Sequence, residues 1–310
     1  MITPRCNTKC VLCPNWQIET ETEMTTKKIF QMLEMAKKEG MIDYSAWGGE
    51  PLIRKDLPEI LAYTKEIGLD TTVITNGFEL PEKIPEIGDH LSNLVVSIDY
   101  ADPEQHDASR RQKGVFDSAI QGIEETKKKY PHINLFINAV VCNENLNQLR
   151  EISELARKEK VKIMFEMMRE FPGYNEEYAL KREEIIYASH ALLQLKREGY
   201  PIVNSPSYFK LLMNGQSYSC HEPKVLATVD WNGNLITCSR FKNAKIGNVL
   251  KEGFSNLFKS KKYQFYVKTA EKCSECFLSY PYEISSFWDF NIETILNFGK
   301  NLLSQYGTNW

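Results

Sequence analysis

Several features that would assign the chain to common protein classes are missing from its sequence. It has no run of eighteen apolar residues, and no charged-then-apolar leader precedes the first cysteine, which argues against a multispanning membrane protein and a secreted one. The net charge of −3 lacks the basic excess typical of nucleic-acid binders, and no internal repeat is evident. With 42% hydrophobic and 25% charged residues, the composition is that of a globular protein, which we expect to be cytoplasmic.

Histidine is also scarce where metal ligands would be expected, since the first of the five histidines is His90. Cysteine is not scarce: Cys6, Cys10 and Cys13 lie within eight residues of one another. Inside a cell, such clustered thiols indicate metal ligands rather than disulfides. A zinc knuckle is the alternative, but zinc needs four ligands and no fourth lies nearby. Three thiolates can bind three irons of a [4Fe–4S] cluster and leave the fourth iron open.

A glycine-rich turn, Gly48-Gly49-Glu50-Pro51, directly follows the next strand-like segment. Its two glycines allow a close approach of the backbone to a ligand. Together with the cysteine spacing, it resembles the motifs of the radical S-adenosylmethionine (SAM) enzymes. That resemblance implies that SAM chelates the open iron and that an electron from the cluster, supplied by a donor such as ferredoxin or flavodoxin, cleaves it to a 5′-deoxyadenosyl radical.

Further segments resemble those that line the SAM pocket in this family. The resemblance implies SAM contacts from the glycine turn (Gly48, Gly49, Glu50 and Pro51) and from later positions (Asn76, Ser97, Asp99 and Arg110). Arg54 belongs to a further matching segment. Each position also has an ordinary structural explanation. Asn76 can turn the chain, Asp99 can cap the next segment, and Arg110 can form a surface ion pair.

Strand-like apolar runs alternate with helical patterns through the first 200 residues, as expected of βα units. The predicted strands are a stub at Met1–Thr3, then Ile42–Trp47, Thr71–Thr75, Leu94–Ile98, Leu135–Val141 and Val161–Met167. The predicted helices are Thr26–Lys38, Leu57–Ile67, Val115–Tyr130, Leu146–Lys158 and Glu183–Glu198, with Thr25 and Asn145 as caps. The pattern predicts an α/β fold, a partial (β/α)₆ barrel over residues 1–200. Its first strand is short enough to suggest a truncated or misplaced start.

A second cysteine set begins beyond the barrel: Cys220, Cys238, Cys273 and Cys276. Its spacing resembles the twitch or SPASM domain that follows many radical SAM barrels, which implies a smaller α+β domain over residues 201–285 and an auxiliary [4Fe–4S] cluster. Structural zinc is the alternative. A strand, a turn at 231–234 and a second strand predict a hairpin that brings Cys220 and Cys238 together.

The eighth cysteine, Cys142, follows a barrel strand and is either a hydrogen-atom donor or a small buried side chain.

The sequence indicates less about the substrate than about the cofactors. The chain begins at the cysteine loop, without the leader-recognition domain usual in peptide maturases, which disfavours a peptide substrate. More distantly, residues beyond the barrel resemble adenosyl-hopene transferase. An apolar stripe predicts a C-terminal amphipathic helix over 286–310 that contacts a membrane surface or packs on its own domain. We therefore expect a radical SAM enzyme acting on a small or lipid-like, possibly isoprenoid, substrate. A peptide maturase and a non-enzymatic metal-stabilised binding module are the alternatives.

Overall fold

The computed structural model describes residues 1–20, 22–238, 244–273 and 276–306. Ser274 and Glu275 of the second cysteine motif, and residues 307–310 of the predicted terminal helix, lie outside the described residues. The helices, in chain order, are α1 Thr26–Lys38, α2 Leu57–Glu66, α3 Leu80–Ile87, α4 Pro103–Arg110, α5 Val115–Lys129, α6 Leu149–Lys158, α7 Arg182–Arg197, α8 Pro206–Asn214, α9 Glu222–Val225, α10 Val249–Glu252, α11 Phe254–Lys259, α12 Lys261–Ala270, α13 Ser279–Trp288 and α14 Ile292–Tyr306. Most follow the apolar periodicity of the sequence.

A five-stranded parallel sheet carries its strands in chain order, as expected of successive βα units. Its strands are β1 Asp43–Ala46, β2 Asp70–Thr75, β3 Asn93–Ser97, β4 Asn134–Val141 and β5 Lys162–Met167. The predicted first strand of the barrel, Met1–Thr3, is observed only as a single bridge between Thr3 and Gly48. The partial barrel is therefore confirmed, and its first strand is shorter than predicted.

The pattern of buried residues along each strand depends on whether one or both of its faces are covered. Along β3, Leu94, Val95 and Val96 are all buried, as in a parallel strand covered on both faces. In β5 the buried positions alternate, with Ile163 and Phe165 fully enclosed. This sheet supplies the core, and the residues that follow its strands can serve a site.

Thr25 and Asn145 occupy the predicted N-cap positions, before α1 and before the 3₁₀ turn Leu146–Gln148, but their side chains do not cap. Neither Thr25 nor Asn145 makes a side-chain hydrogen bond to the helix it precedes. The Asn145 amide instead donates to the carbonyls of Asp99 and Val140 at 2.8 Å each, and its oxygen accepts from Cys142 N at 2.9 Å. These buried backbone groups compete for the same side chain and hold it away from the helix end.

The contacts divide the chain into two compact units: residues 1–97, 103–135 and 226–266 form the first, and 98–102, 136–225 and 267–310 the second. The first unit holds β6 Thr228–Val229, β7 Asn234–Ile236 and β8 Lys245–Asn248, which form a small antiparallel sheet. β6 and β7 pair as a hairpin at the predicted turn. The predicted boundaries at residues 200 and 285 stay predictions.

The predicted terminal helix is interrupted near its start. Helix α13 ends at Trp288 and α14 begins at Ile292. Between them Phe290 has a φ of +58°, a left-handed conformation that ends a helix. Among the described residues, no helix combines the length and the apolar character needed to cross a bilayer.

Candidate active site

The glycine pair allows the segment before the cysteines to lie directly against the turn after β1. Gly49 N–H donates to Thr3 O and Glu50 N–H donates to Arg5 O, both at 2.8 Å. A Cβ atom on Gly48 would lie 2.1 Å from Thr3 O, and one on Gly49 would lie 2.0 Å from Arg5 O. Both positions thus need glycine for packing within the chain. Their predicted approach to a ligand stays a prediction.

A threonine inside the cysteine loop contacts two of the three thiols. The Thr8 hydroxyl lies 3.3 Å from Cys6 Sγ and 3.3 Å from Cys10 Sγ, and the side chain is almost fully buried. Arg110, the last residue of α4, donates to Cys10 Sγ from Nη1 at 3.8 Å. The loop backbone is tied to the same helix turn, with Lys9 N–H donating to Arg110 O at 3.2 Å and Val11 N–H to Ser109 O at 2.9 Å. The loop is therefore anchored on both sides.

Two of these thiols, Cys6 and Cys13, hold their protons more tightly than exposed ones. Burial raises the pKa of Cys6, and it raises that of Cys13 to about 11, although the Arg110 charge opposes the rise at Cys13. Metal binding requires the thiolate form and so displaces these protons. Within the described ranges no three His, Cys, Asp or Glu side chains surround one ion position. A cluster differs from a single ion here, because each thiolate of a [4Fe–4S] cube binds its own iron.

The three thiols open onto one cavity of about 200 Å³ in the first unit. Five of the predicted SAM-contacting residues line it: Gly48, Gly49, Asn76, Ser97 and Arg110. Thr75, beside Asn76 in one of the matching segments, also lines it, and other lining residues were not predicted: Thr8, Asn15, Trp16, Trp47 and Ile74. Trp47 directly precedes the glycine turn and Trp16 lies three residues after Cys13, and this closeness to the two recognised motifs is the sequence signal that could have identified them. The structure thus brings the cysteine loop, the glycine turn and the ends of β2 and β3 to one space.

Glu50 is fully buried and does not line this cavity. Its carboxylate accepts hydrogen bonds from Leu52 N at 3.0 Å, Thr75 Oγ1 at 2.8 Å and Asn76 N at 2.7 Å. Burial raises its pKa to about 7, and these three donors act against that rise. Pro51, also buried, begins a short 3₁₀ turn. The hydrogen bonds fasten the glycine turn to the end of β2, while a SAM contact from Glu50 or Pro51 stays a prediction.

Asp99 and Cys142 belong to the second unit. Asp99 Oδ1 accepts from Val140 N at 2.9 Å, so this carboxylate binds the backbone of β4. Cys142 is completely buried, with its Sγ 3.7 Å from the Tyr100 hydroxyl, and burial raises its pKa. Neither residue lines the cavity described above. Their predicted roles, contact with SAM and donation of a hydrogen atom, stay predictions.

The second cysteine set is distributed over both units. Cys238 belongs to the first unit, where its N–H donates to the Tyr266 hydroxyl at 2.9 Å. Cys220, Cys273 and Cys276 belong to the second. There burial, followed by the nearby thiols of Cys276 and Cys220, raises the pKa of Tyr218, which places these two cysteines close to one side chain. None of the eight cysteines, all within the described residues, forms a disulfide.

A comparison with family models decides the class of the protein. The model described as the radical SAM superfamily matches residues 1–156, about half of the chain. The chain belongs to the radical SAM superfamily. A second model, described as a domain of unknown function (DUF3463), matches residues 161–298. As a radical SAM protein, the chain is an enzyme, and its family uses a [4Fe–4S] cluster and SAM.

Individual relatives agree with this assignment. The chain is 27% identical over 291 residues to an Fe-coproporphyrin III synthase of Methanosarcina barkeri, covering 83% of this chain and 72% of that protein. It is 29% identical over 276 residues to a GTP 3′,8-cyclase of Nautilia profundicola, covering 81% of this chain and 83% of that protein.

Among solved structures, anSMEcpe with bound AdoMet and a Kp18Cys peptide has a TM-score of 0.70 at 18% identity, covering 89% of this chain and 84% of that one. Streptococcus suis SuiB bound to S-adenosylmethionine has a TM-score of 0.69 at 17% identity, covering 84% and 65%. At these identities the structures support the radical SAM fold alone.

Proposed function

We propose that the chain is a radical SAM enzyme whose catalytic cluster is bound by Cys6, Cys10 and Cys13 and which acts on a small or lipid-like substrate. The observation that carries the proposal is the shared cavity of these three thiols and the glycine turn. A [4Fe–4S] cluster with one open iron would supply the electron that cleaves SAM. The donor set fits that group, because three partly exposed thiols in one loop leave one iron without a protein ligand.

The cavity-lining residues supply the polar contacts that SAM would need. Arg110 carries a positive charge beside Cys10, where it can stabilise thiolate charge and face the SAM carboxylate. Ser97 offers a hydroxyl at the end of β3 for a ribose group. The Asn76 amide at the end of β2 donates to Asn7 Oδ1 at 2.8 Å and accepts from Phe78 N at 2.9 Å, so in this proposal it meets SAM by exchanging one of these contacts. Glu50, Pro51 and Asp99 support the surrounding backbone in this proposal, because their observed contacts lie within the chain.

For the second set we propose an auxiliary [4Fe–4S] cluster bound by Cys220, Cys238, Cys273 and Cys276. Four thiolates can close such a cluster and leave no open iron, so its role is electron transfer with the substrate or the donor protein. Zinc bound by four thiolates is the competing assignment. Metal analysis separates them, because the auxiliary cluster predicts about eight irons per chain and the zinc site predicts about four irons and one zinc.

A non-peptide substrate is favoured by the relatives at 27% and 29% identity, whose names refer to a porphyrin and a nucleotide. The peptide-bound structures share too little sequence to support more than the fold.

A lipid-like substrate is supported by exposed apolar side chains on α13, α14 and the corner between them. Their exposed fractions run from 47% at Phe287 to 80% at Phe290, with Trp288, Ile292, Leu296 and Phe298 between. Such a surface suits peripheral contact with a membrane.

The test is anaerobic reconstitution followed by incubation with SAM, dithionite and candidate substrates carrying deuterium. We expect release of 5′-deoxyadenosine, and with the true substrate either transfer of deuterium into it or a covalent adenosyl adduct. Isoprenoid lipids in vesicles are tested first, then porphyrins and nucleotides, then peptides encoded beside the gene. Absence of SAM cleavage by the fully loaded protein would refute the catalytic proposal. Turnover of a peptide alone would replace the substrate class.

A further inference from the structure

A buried arginine lies behind the cysteine loop and uses all three of its nitrogens. Arg54 is 5% exposed. Its Nη1 donates to Ile2 O at 3.0 Å, its Nη2 donates to Met24 O at 3.1 Å, and its Nε and Nη2 bind the two carboxylate oxygens of Asp56 at 2.9 and 2.7 Å. Its Nη1 also lies 3.4 Å from Glu23 Oε2. A buried charge is tolerated when it is paired and hydrogen-bonded in this way.

Glu23 extends this arrangement to the residues just before the first cysteine. Its Oε1 accepts from Thr3 Oγ1 at 2.5 Å and from Arg5 Nε at 2.9 Å, and its Oε2 accepts from Arg5 Nη2 at 3.0 Å. Arg54 and Glu23 together therefore hold Ile2, Thr3 and Arg5. Cys6 is the next residue along the chain.

These contacts add side-chain support to a segment whose backbone is hydrogen-bonded to Trp47 and the glycine turn at Ile2, Thr3 and Arg5. Residues 2–5 form only one isolated bridge with the glycine turn rather than a full strand. The register of that bridge decides where Cys6 enters the cavity, because the side chains of an extended segment change face with every residue. Arg54, which the sequence placed among the residues lining the SAM pocket, does not line the cavity. It contacts the opposite side of the cysteine segment's backbone through Ile2.

We propose that Arg54, acting with Glu23, is a positioning residue that sets the register of the cysteine segment against the glycine turn and so completes the open-iron site. The inference rests on the proposed role of Cys6, Cys10 and Cys13 as cluster ligands. It goes beyond that role because Arg54 touches none of the three cysteines. Lysine cannot replace it fully, since one ammonium cannot reach Ile2, Met24 and both Asp56 oxygens in the planar geometry of a guanidinium.

Through Met24, the Arg54 guanidinium is also connected to the small sheet of the first unit. Met24, whose carbonyl accepts from Arg54, donates its N–H to Trp231 O at 2.8 Å in the turn between β6 and β7. Arg54 thus lies between the cysteine segment and the residues that bind this turn. A change at Arg54 should therefore displace the cysteine segment without removing any ligand.

The test compares Arg54→Gln and Arg54→Lys with Lys55→Gln, a matched change at the neighbouring exposed position. Each protein is reconstituted anaerobically and reduced with dithionite, and its electron paramagnetic resonance (EPR) spectrum is recorded as SAM is added. SAM alters the spectrum only by binding the open iron, so this signal reports the geometry of that site. We expect Arg54→Gln to lose the SAM-dependent change or to need about tenfold more SAM, Arg54→Lys to be intermediate, and Lys55→Gln to match the wild type.

A wild-type SAM response in Arg54→Gln would overturn the inference even if its melting temperature fell, because that result would make Arg54 merely structural. If Arg54→Gln does not fold, Glu23→Gln decides, since it weakens the hold on Thr3 and Arg5 and leaves Arg54 paired with Asp56. We expect it to weaken the SAM response in the same direction, and an unchanged response would overturn the inference. A loaded wild-type protein without any SAM response would instead refute the proposed function.

Discussion

The two cysteine sets of this chain are assembled in different ways. Cys6, Cys10 and Cys13 come from one loop of the first unit, which backbone hydrogen bonds hold at both ends. The second set comes from three separate segments and from both units. A local set can be recognised from spacing because the chain itself limits the distances between its thiols. A distributed set depends on tertiary structure, so its spacing is a weaker predictor of what it binds.

The surroundings differ as well. Around the first set, glycine contacts, the buried Glu50 and the buried Arg54 leave few conformations open to the backbone. Around the second set, two of the described contacts involve aromatic hydroxyls: Tyr266 accepts from Cys238 N, and Tyr208 donates to Phe277 O, next to Cys276. We infer that main-chain packing and buried side chains together fix the first site, whereas individual side chains support the second.

The largest effect is expected from removing the first set. Replacing Cys6, Cys10 and Cys13 by Ala should abolish SAM cleavage and leave about four irons per chain, because the second set is untouched. Iron content and 5′-deoxyadenosine release measure the two effects. Cys142→Ala is the control and should retain about eight irons. Unchanged cleavage in the triple variant would show that these thiols do not bind the catalytic cluster.

Removing half of the second set should separate the two sites. Cys273→Ala with Cys276→Ala should lose the auxiliary cluster and turnover of substrate but keep four irons and some SAM cleavage. Iron, zinc and 5′-deoxyadenosine are measured on the same preparation. If iron content stays at the wild-type level while bound zinc is lost, the second site is a zinc site and the comparison is between a catalytic cluster and a structural ion.

The fold could be predicted where periodicity dominates. The helix Thr26–Lys38 was predicted with its observed bounds, and the strands of the sheet were predicted to within two residues. The shortness of the first strand and the contacts of the Asn145 side chain could not be predicted, because both depend on partners elsewhere in the chain. Residues 2–5 bind the glycine turn, and the Asn145 amide binds the ends of neighbouring strands. Sequence separation hides such contacts from local rules.

The candidate site, like the fold, could be predicted from the sequence only in part. Gly48, Gly49 and Arg110 line the same cavity as the cysteines, because motif position along βα units fixes the sheet edge at which they lie, while their contact with SAM stays a prediction. The function of the glycines could not be read from the motif, since only the structure shows that Thr3 and Arg5 occupy the space of their missing side chains. The backbone partners of Arg54 could not be predicted for a related reason. A charged residue beside a binding motif suggests a ligand contact, but here burial directs it to backbone carbonyls.

The main-chain packing of the first site can be tested at one glycine. Gly49→Ala should lower the free energy of unfolding by about 4 kcal/mol or more, because its Cβ would overlap the carbonyl of Arg5 and force the cysteine segment away. Gly299→Ala is the control: it lies in α14 with open space around it and should stabilise by about 0.5–1 kcal/mol. Urea titrations under anaerobic conditions measure both. Equal small effects would show that the cysteine segment moves freely, contrary to the comparison drawn above.

The smallest effect is expected where one side chain supports the second set. Tyr208 is fully buried, and its hydroxyl donates to Phe277 O at 2.7 Å. Tyr208→Phe keeps the ring but leaves this carbonyl without its donor, which should cost about 1–2 kcal/mol in the urea titration. Tyr187→Phe, at a side chain that is 57% exposed, should change stability by less than about 0.5 kcal/mol. Because Phe277 follows Cys276, Tyr208→Phe should also lower the iron retained at the second site but leave SAM cleavage at the first intact. A loss of SAM cleavage as large as the loss of auxiliary iron would mean that the two sites do not depend on separate supports.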